Sequence, residues 1–130
     1  MKAVLDHVGI AVRDLDEALS FYCDALGLEI DASEEVVAHG VRAHFLGTGG
    51  TSLELVEATT DESPIARFVG RRGPGLHHIT LRVDDIEQVL VHLKTRGVRL
   101  IDERPRPGAG GALGAFVHPS SAQGVLVELK

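Results

Sequence analysis

The sequence predicts an α+β fold of two tandem βαβββ modules, residues 1–58 and 75–130, joined by a short helix near 63–70 into one domain spanning 1–130. Three observations carry this prediction. The first is an internal repeat. At a constant offset of 71, His7 matches His78, Val8 matches Ile79, Ile10 matches Leu81, Val12 matches Val83, Asp14 matches Asp85 and Leu15 matches Ile86. The second is periodicity: in each copy an alternating apolar run gives way at Asp14 or Asp85 to apolar residues at helical spacing. The third is a carboxylate set between apolar neighbours in the last strand of each copy, Glu54 in Ser52-Leu53-Glu54-Leu55-Val56 and Glu128 in Leu126-Val127-Glu128-Leu129.

The elements follow in order. Residues 4–12 form a first strand, with Val8, Ile10 and Val12 on the face that the next helix covers and His7 on the other. Asp14 is an N-cap with Glu17 three residues on, a capping-box spacing. Leu15, Ala18, Leu19, Tyr22 and Leu26 then mark a buried stripe, and Gly27 ends the helix. Strands are expected at 28–37, 40–46 and 51–56. The connecting helix has Ser63 as N-cap and Pro64 in its first turn, turns Ile65, Phe68 and Val69 inward, and is broken by Gly70, Gly73, Pro74 and Gly75. In the second copy we expect a strand at 76–83, a helix at 86–96 capped by Asp85 with Gln88 and stopped by Gly97, and strands at 98–103, 112–118 and 124–129. The glycines of Pro107-Gly108-Ala109-Gly110-Gly111 join two strands without a following Lys-Ser/Thr pair, so they read as a hairpin loop rather than a phosphate loop.

Composition narrows the function. Hydrophobic residues make up 44% of the chain and charged residues 25%, the balance of a soluble globular domain. A net charge of −6 argues against a nucleic-acid partner, while Arg67, Arg71, Arg72, Arg104 and Arg106 could still supply a local patch for an anionic small molecule. The single cysteine, Cys23, has no internal partner and no basic neighbour within a helical turn, so it reads as packing. No apolar run approaches the roughly 20 residues that span a bilayer and no signal peptide opens the chain, so we expect a cytoplasmic protein with no membrane partner.

The repeated His and Glu positions carry the chemistry. His7 precedes Glu54 by 47 residues and His78 precedes Glu128 by 50. An ionised carboxylate on an interior face is costly unless it is paired or bound to a cation. Two imidazoles and two carboxylates would together neutralise a divalent ion, so His7, Glu54, His78 and Glu128 are the expected metal ligands. His77, as the neighbour of a ligand, should point to the helix side or a sheet edge. His39, His92 and His118 read as structural or solvated, and His44 as a neighbour of the site at most.

The paired βαβββ plan with His, Glu, His, Glu resembles the vicinal oxygen chelate superfamily, in which two modules form a cupped mixed sheet around a divalent metal. The segments Leu5 to Val12, Asp61-Glu62-Ser63-Pro64-Ile65-Ala66-Arg67-Phe68, Gly75-Leu76-His77-His78-Ile79, Gly97-Val98-Arg99-Leu100-Ile101 and His118-Pro119 with Gly124 to Leu129 are similar to those of the methylmalonyl-CoA epimerase family. The resemblance implies interconversion of (2R)- and (2S)-methylmalonyl-CoA, by loss and return of the α-proton through a metal-stabilised enolate. It also implies an acyl-CoA substrate, a homodimer, and Co2+ as the first metal to name, with Zn2+, Ni2+ and Mn2+ as alternatives. Glu128 would then be both ligand and proton carrier. The third-strand position where some members carry a second carboxylate is Ala43 here, and Gly110 and Ala112 stand where His and Lys are frequent. Two other functions fit the same pattern: a glyoxalase I type lactoylglutathione lyase, and a non-catalytic small-molecule-binding member of the superfamily.

Overall fold

A computed structural model describes residues 2–108 and 111–130 of the chain. They fall into two compact units, one of residues 7–77 and one of residues 2–6 with 78–130. The division cuts the strands β1, Ala3–Ala11, and β5, Gly75–Val83, so each unit holds part of both.

In the unit 7–77, β1 pairs in parallel with β4, Ser52–Ala58, which pairs antiparallel with β3, Val41–Gly47, which pairs antiparallel with β2, Ile30–Val36. Alternation along these strands makes two faces. One carries Ile10, Val12, Leu46, Leu53 and Leu55 and packs on Leu15, Ala18, Leu19 and Tyr22 of the helical segment that follows β1. The other carries His7, Ala11, Ala43, Phe45, Glu54 and Val56. Its Ala11, Ala43 and Val56 pack under Ile65, Phe68 and Val69 of the helix α2, Pro64–Arg72. Leu46 and Leu55 are wholly buried, each worth roughly 1.5–3 kcal/mol over an exposed side chain.

The caps behave as their side-chain chemistry requires. Asp14 accepts from the Glu17 amide at 3.1 Å and Ser63 from the Ile65 amide at 3.1 Å. Glu57 adds a second anchor: one oxygen accepts from the Leu15 amide at 2.8 Å, the other from Arg42 at 2.6 Å, and this contact raises the Arg42 pKa above its ordinary value.

One expectation for this unit needs correction. The first helix is α-helical only over Leu15–Leu19, here α1, and continues as a π-helix over Ser20–Ala25. The Leu26 amide donates to the Phe21 carbonyl, five residues back, at 2.9 Å. Each residue advances the helix by about 100°, so the extra residue in that turn swings Leu26 out of the stripe. Leu26 is 57% exposed, and Leu28 packs on the core in its place. The helix α2 passes Gly70 and ends at the next of the expected breakers. It runs to Arg72 and stops at Gly73, whose φ of 78° is the left-handed conformation that glycine adopts without steric cost.

The unit of residues 2–6 with 78–130 repeats the pattern. β5 pairs in parallel with β8, Val127–Leu129; β8 pairs antiparallel with β7, Leu113–Val117; and β7 pairs antiparallel with the two-residue β6, Arg106–Pro107. The helix α3, Ile86–Thr95, has Asp85 accepting from the Gln88 amide at 3.2 Å, and its Val89 and Leu90 pack on Leu81, Ala115, Val117 and Leu129. The strand expected at 98–103 does not form. Only a single bridge, Leu100 to Val117, is ladder-like. Asp102 is the reason: its buried carboxylate accepts from the Phe116 amide at 2.9 Å, taking a donor that a regular neighbouring strand would have satisfied. Ala109 and Gly110 lie outside the described residues, and with them the loop position where Gly110 departs from the family pattern.

Candidate metal centre

Each unit brings one of its histidines to one of its glutamates. In the unit 7–77, β1 and β4 run side by side with Gly9 opposite Glu54, and β3 sets Phe45 opposite Glu54 from the other side. Nε2 of His7 lies 3.5 Å from Oε1 of Glu54, with side chains only 7% and 13% exposed. The Phe45 ring meets the His7 ring edge-on, centroids 5.3 Å apart and planes at 88°. In the other unit the register sets Thr80 and Phe116 opposite Glu128. Nε2 of His78 lies 4.0 Å from Oε1 of Glu128, and Phe116 meets His78 edge-on at 6.2 Å and 81°.

These distances can be tested against a metal. Two atoms that each lie about 2.0–2.2 Å from one ion can be no more than about 4.4 Å apart. Both pairs satisfy that limit, and imidazole nitrogen with carboxylate oxygen is a donor set suited to a divalent first-row ion. The residues of each pair therefore fit a metal.

The remaining candidates are placed as follows. His77 meets Phe68 of α2 edge-on at 4.9 Å, on the helix side. His44 is on the α1 side of β3, where its Nδ1 lies 2.7 Å from the Ser33 hydroxyl, away from the Glu54 face. His39 and His92 are exposed, and His118 accepts from the Ser120 amide at 3.0 Å. Cys23 packs partly on the α1 core. Ala43 shares the face of His7 and Glu54 but is buried under α2 at 3% exposure, so no proton carrier occupies that position. Among the arginines, Arg67 donates to the Glu62 carbonyl at 2.6 Å, Arg72 lies over the Phe68 ring and Arg106 meets Asp102 at 3.3 Å, while Arg71 and Arg104 are exposed.

Sequence reasoning passed over Thr80, Phe45 and Phe116. The repeat contained the signal for the two rings, since residues 45 and 116 are 71 apart and so occupy equivalent positions. Thr80 gave none, because threonine is an ordinary strand residue.

Comparison with known proteins agrees with this geometry. The family model described as Glyoxalase/Bleomycin resistance protein/Dioxygenase superfamily matches residues 6–116. The mitochondrial methylmalonyl-CoA epimerase of Bos taurus is 39% identical over 127 residues, which cover 97% of this chain and 73% of that protein. The ethylmalonyl-CoA/methylmalonyl-CoA epimerase of Cereibacter sphaeroides is 38% identical over 128 residues, covering 97% and 96%. A solved methylmalonyl-CoA epimerase in complex with methylmalonyl-CoA and NH4+ superposes with a TM-score of 0.90 at 34% identity, covering 96% of this chain and 91% of that one. The chain belongs to the glyoxalase/bleomycin resistance protein/dioxygenase superfamily and, within it, to the methylmalonyl-CoA epimerase family.

Proposed function

We propose that the protein interconverts (2R)- and (2S)-methylmalonyl-CoA, and that His7, Glu54, His78 and Glu128 hold the divalent ion the reaction uses. The observation that carries this reading is the imidazole–carboxylate pair made twice, at 3.5 and 4.0 Å, from matching strands of a duplicated chain. Kinship with epimerases over nearly the whole chain supplies the substrate.

The ion, Co2+ by our reading, supplies Lewis acidity toward the thioester carbonyl and so favours charge developing at the neighbouring carbon. The protein's own groups do the rest. His7, Glu54 and His78 would hold the ion. Glu128 would also hold it and would take the α-proton from one face of the carbon between thioester and carboxylate; inversion then requires a proton delivered to the opposite face, by a second carrier that Ala43 does not supply. The exposed Arg71 and Arg104 are candidates for the CoA phosphates, and we place the enzyme in the cytoplasm as a homodimer. Among the described residues no helix is long and apolar enough to cross a membrane.

The test is metal analysis of the purified protein together with two assays, α-proton exchange of methylmalonyl-CoA in deuterated water and isomerisation of the methylglyoxal–glutathione hemithioacetal. Metal-dependent exchange with inert hemithioacetal is the expected result. Turnover of the hemithioacetal alone would assign the lyase activity instead, and turnover of neither by metal-loaded protein would favour a binding module.

A further inference from the structure

Glu54 and Glu128 occupy matching strand positions, but their neighbours across the parallel ladder differ. Gly9 stands opposite Glu54 and Thr80 opposite Glu128, and residues 9 and 80 are the same position of the repeat. Thr80 is 0% exposed, and its hydroxyl donates to Oε1 of Glu128 at 2.7 Å. That oxygen is also the one 4.0 Å from Nε2 of His78. The other oxygen, Oε2, lies over Gly114, where a Cβ would come within 3.2 Å of it.

We propose that Thr80 is a positioning residue for Glu128, its hydroxyl fixing the rotation of the carboxylate so that Oε1 turns to His78 and Oε2 is left for the α-proton. The terminal torsion of a glutamate is broad and two-fold, so packing of the chain alone does not choose between its oxygens. A hydrogen bond from a buried neutral donor to a carboxylate does choose, because it is stronger than a neutral one and water is not there to replace it. A carboxylate oxygen has two lone-pair sites, so Oε1 can accept from Thr80 and still offer an electron pair to an ion. Gly114 completes the arrangement, since a side chain there would bring its Cβ within 3.2 Å of Oε2. No hydroxyl can come from residue 9 to Glu54, so this device belongs to one half of the repeat.

The inference rests on the proposed function only for the activity it reads. Its test compares Thr80→Val, which keeps the shape and removes the donor, with Thr80→Ser, which keeps the hydroxyl. Thr80→Ala replaces the valine variant if that protein does not fold. Two quantities are measured: kcat and KM for methylmalonyl-CoA, and Co2+ titration followed by the visible bands of the bound ion. Without the hydroxyl, kcat should fall by about tenfold with KM within about twofold, and the Co2+ bands should shift. Serine should restore both. The proposal is overturned if the valine or alanine protein keeps the parent's kcat and Co2+ spectrum, or if serine is as impaired as valine. Should the parent protein fail to epimerise, the proposed function falls, and the Co2+ titration still decides: a shift in valine that serine reverses supports Thr80, and an unchanged spectrum overturns it.

Discussion

The two halves of the repeat agree on their inner strands and differ at their edges. Both place a histidine, a phenylalanine and a glutamate on the face turned away from the following helix. Both also carry an aspartate at one position of the second strand, Asp31 and Asp102, 71 residues apart. In the first half the ladder is irregular at Asp31, between Ile30 and Ala32, yet resumes as far as Val36. In the second half Asp102 is buried against the Phe116 amide, with only the Leu100 bridge to β7 before it and pairing with β7 resuming at β6. The same position is thus a local bend in one copy and a break in pairing in the other, the carboxylate facing solvent in the first and an amide in the second. The glutamates show a parallel divergence, one beside glycine and one held by threonine. Duplication has kept the positions that would bind an ion and left their neighbours free to specialise.

The sharpest way to break that comparison is to neutralise each glutamate in turn. Glu128→Gln keeps an oxygen ligand and removes the base, so α-proton exchange and epimerisation should fall by ~100-fold or more in protein that still holds its metal. Glu54→Gln, at the matching position, should act through metal affinity instead, with activity at saturating metal within about tenfold of the parent. Exchange assays with metal content determined on the same samples check both. Equal losses in the two variants would erase the functional difference between the halves.

A smaller effect is expected at the paired aspartates. Asp102→Ala leaves the Phe116 amide without its acceptor, at a cost of about 1–3 kcal/mol. Asp31→Ala, on an exposed side chain, should change stability by no more than about 0.5 kcal/mol. Urea unfolding of the two proteins measures the gap. The smallest contrast lies in the π-helical segment, where Leu28→Ala should cost ~1 kcal/mol for its partly buried side chain and Leu26→Gln less than about 0.5 kcal/mol. An α-helical register through residue 26 would reverse that order.

Much of this was legible in the chain because it depends on signals a few residues long. Asp14, Ser63 and Asp85 each cap the helix they precede, the offset of 71 paired the histidines, and the place of a carboxylate in the last strand of each half paired the glutamates before any contact was known. The exceptions share a cause. The π turn at Ser20–Ala25 depends on how the helix meets the sheet, and Leu26 looks as apolar in the sequence as Leu28. Asp102 falls inside the strand expected at 98–103, and only its contact with Phe116, 14 residues on, shows why that strand does not form. Thr80 reads as a strand former, and its hydroxyl becomes informative only once Glu128, 48 residues away, is beside it. Signals of this kind lie in distant pairs of side chains, and alternation along one strand does not record them.

The Asp6 carboxylate accepts from Arg82 at 3.2 Å and from Lys130 at 3.1 Å, the latter 124 residues along the chain. On a ribosome this sets an order of events. The strands and helices of residues 7–77 are contiguous and can pair as soon as they emerge, whereas residues 2–6 must wait for residue 130 before their own unit can close. Until then β5 lacks its parallel partner β8, and its edge is exposed to other chains. The half of the protein whose glutamate is held by Thr80 is therefore the later to assemble and the more open to mispairing during synthesis.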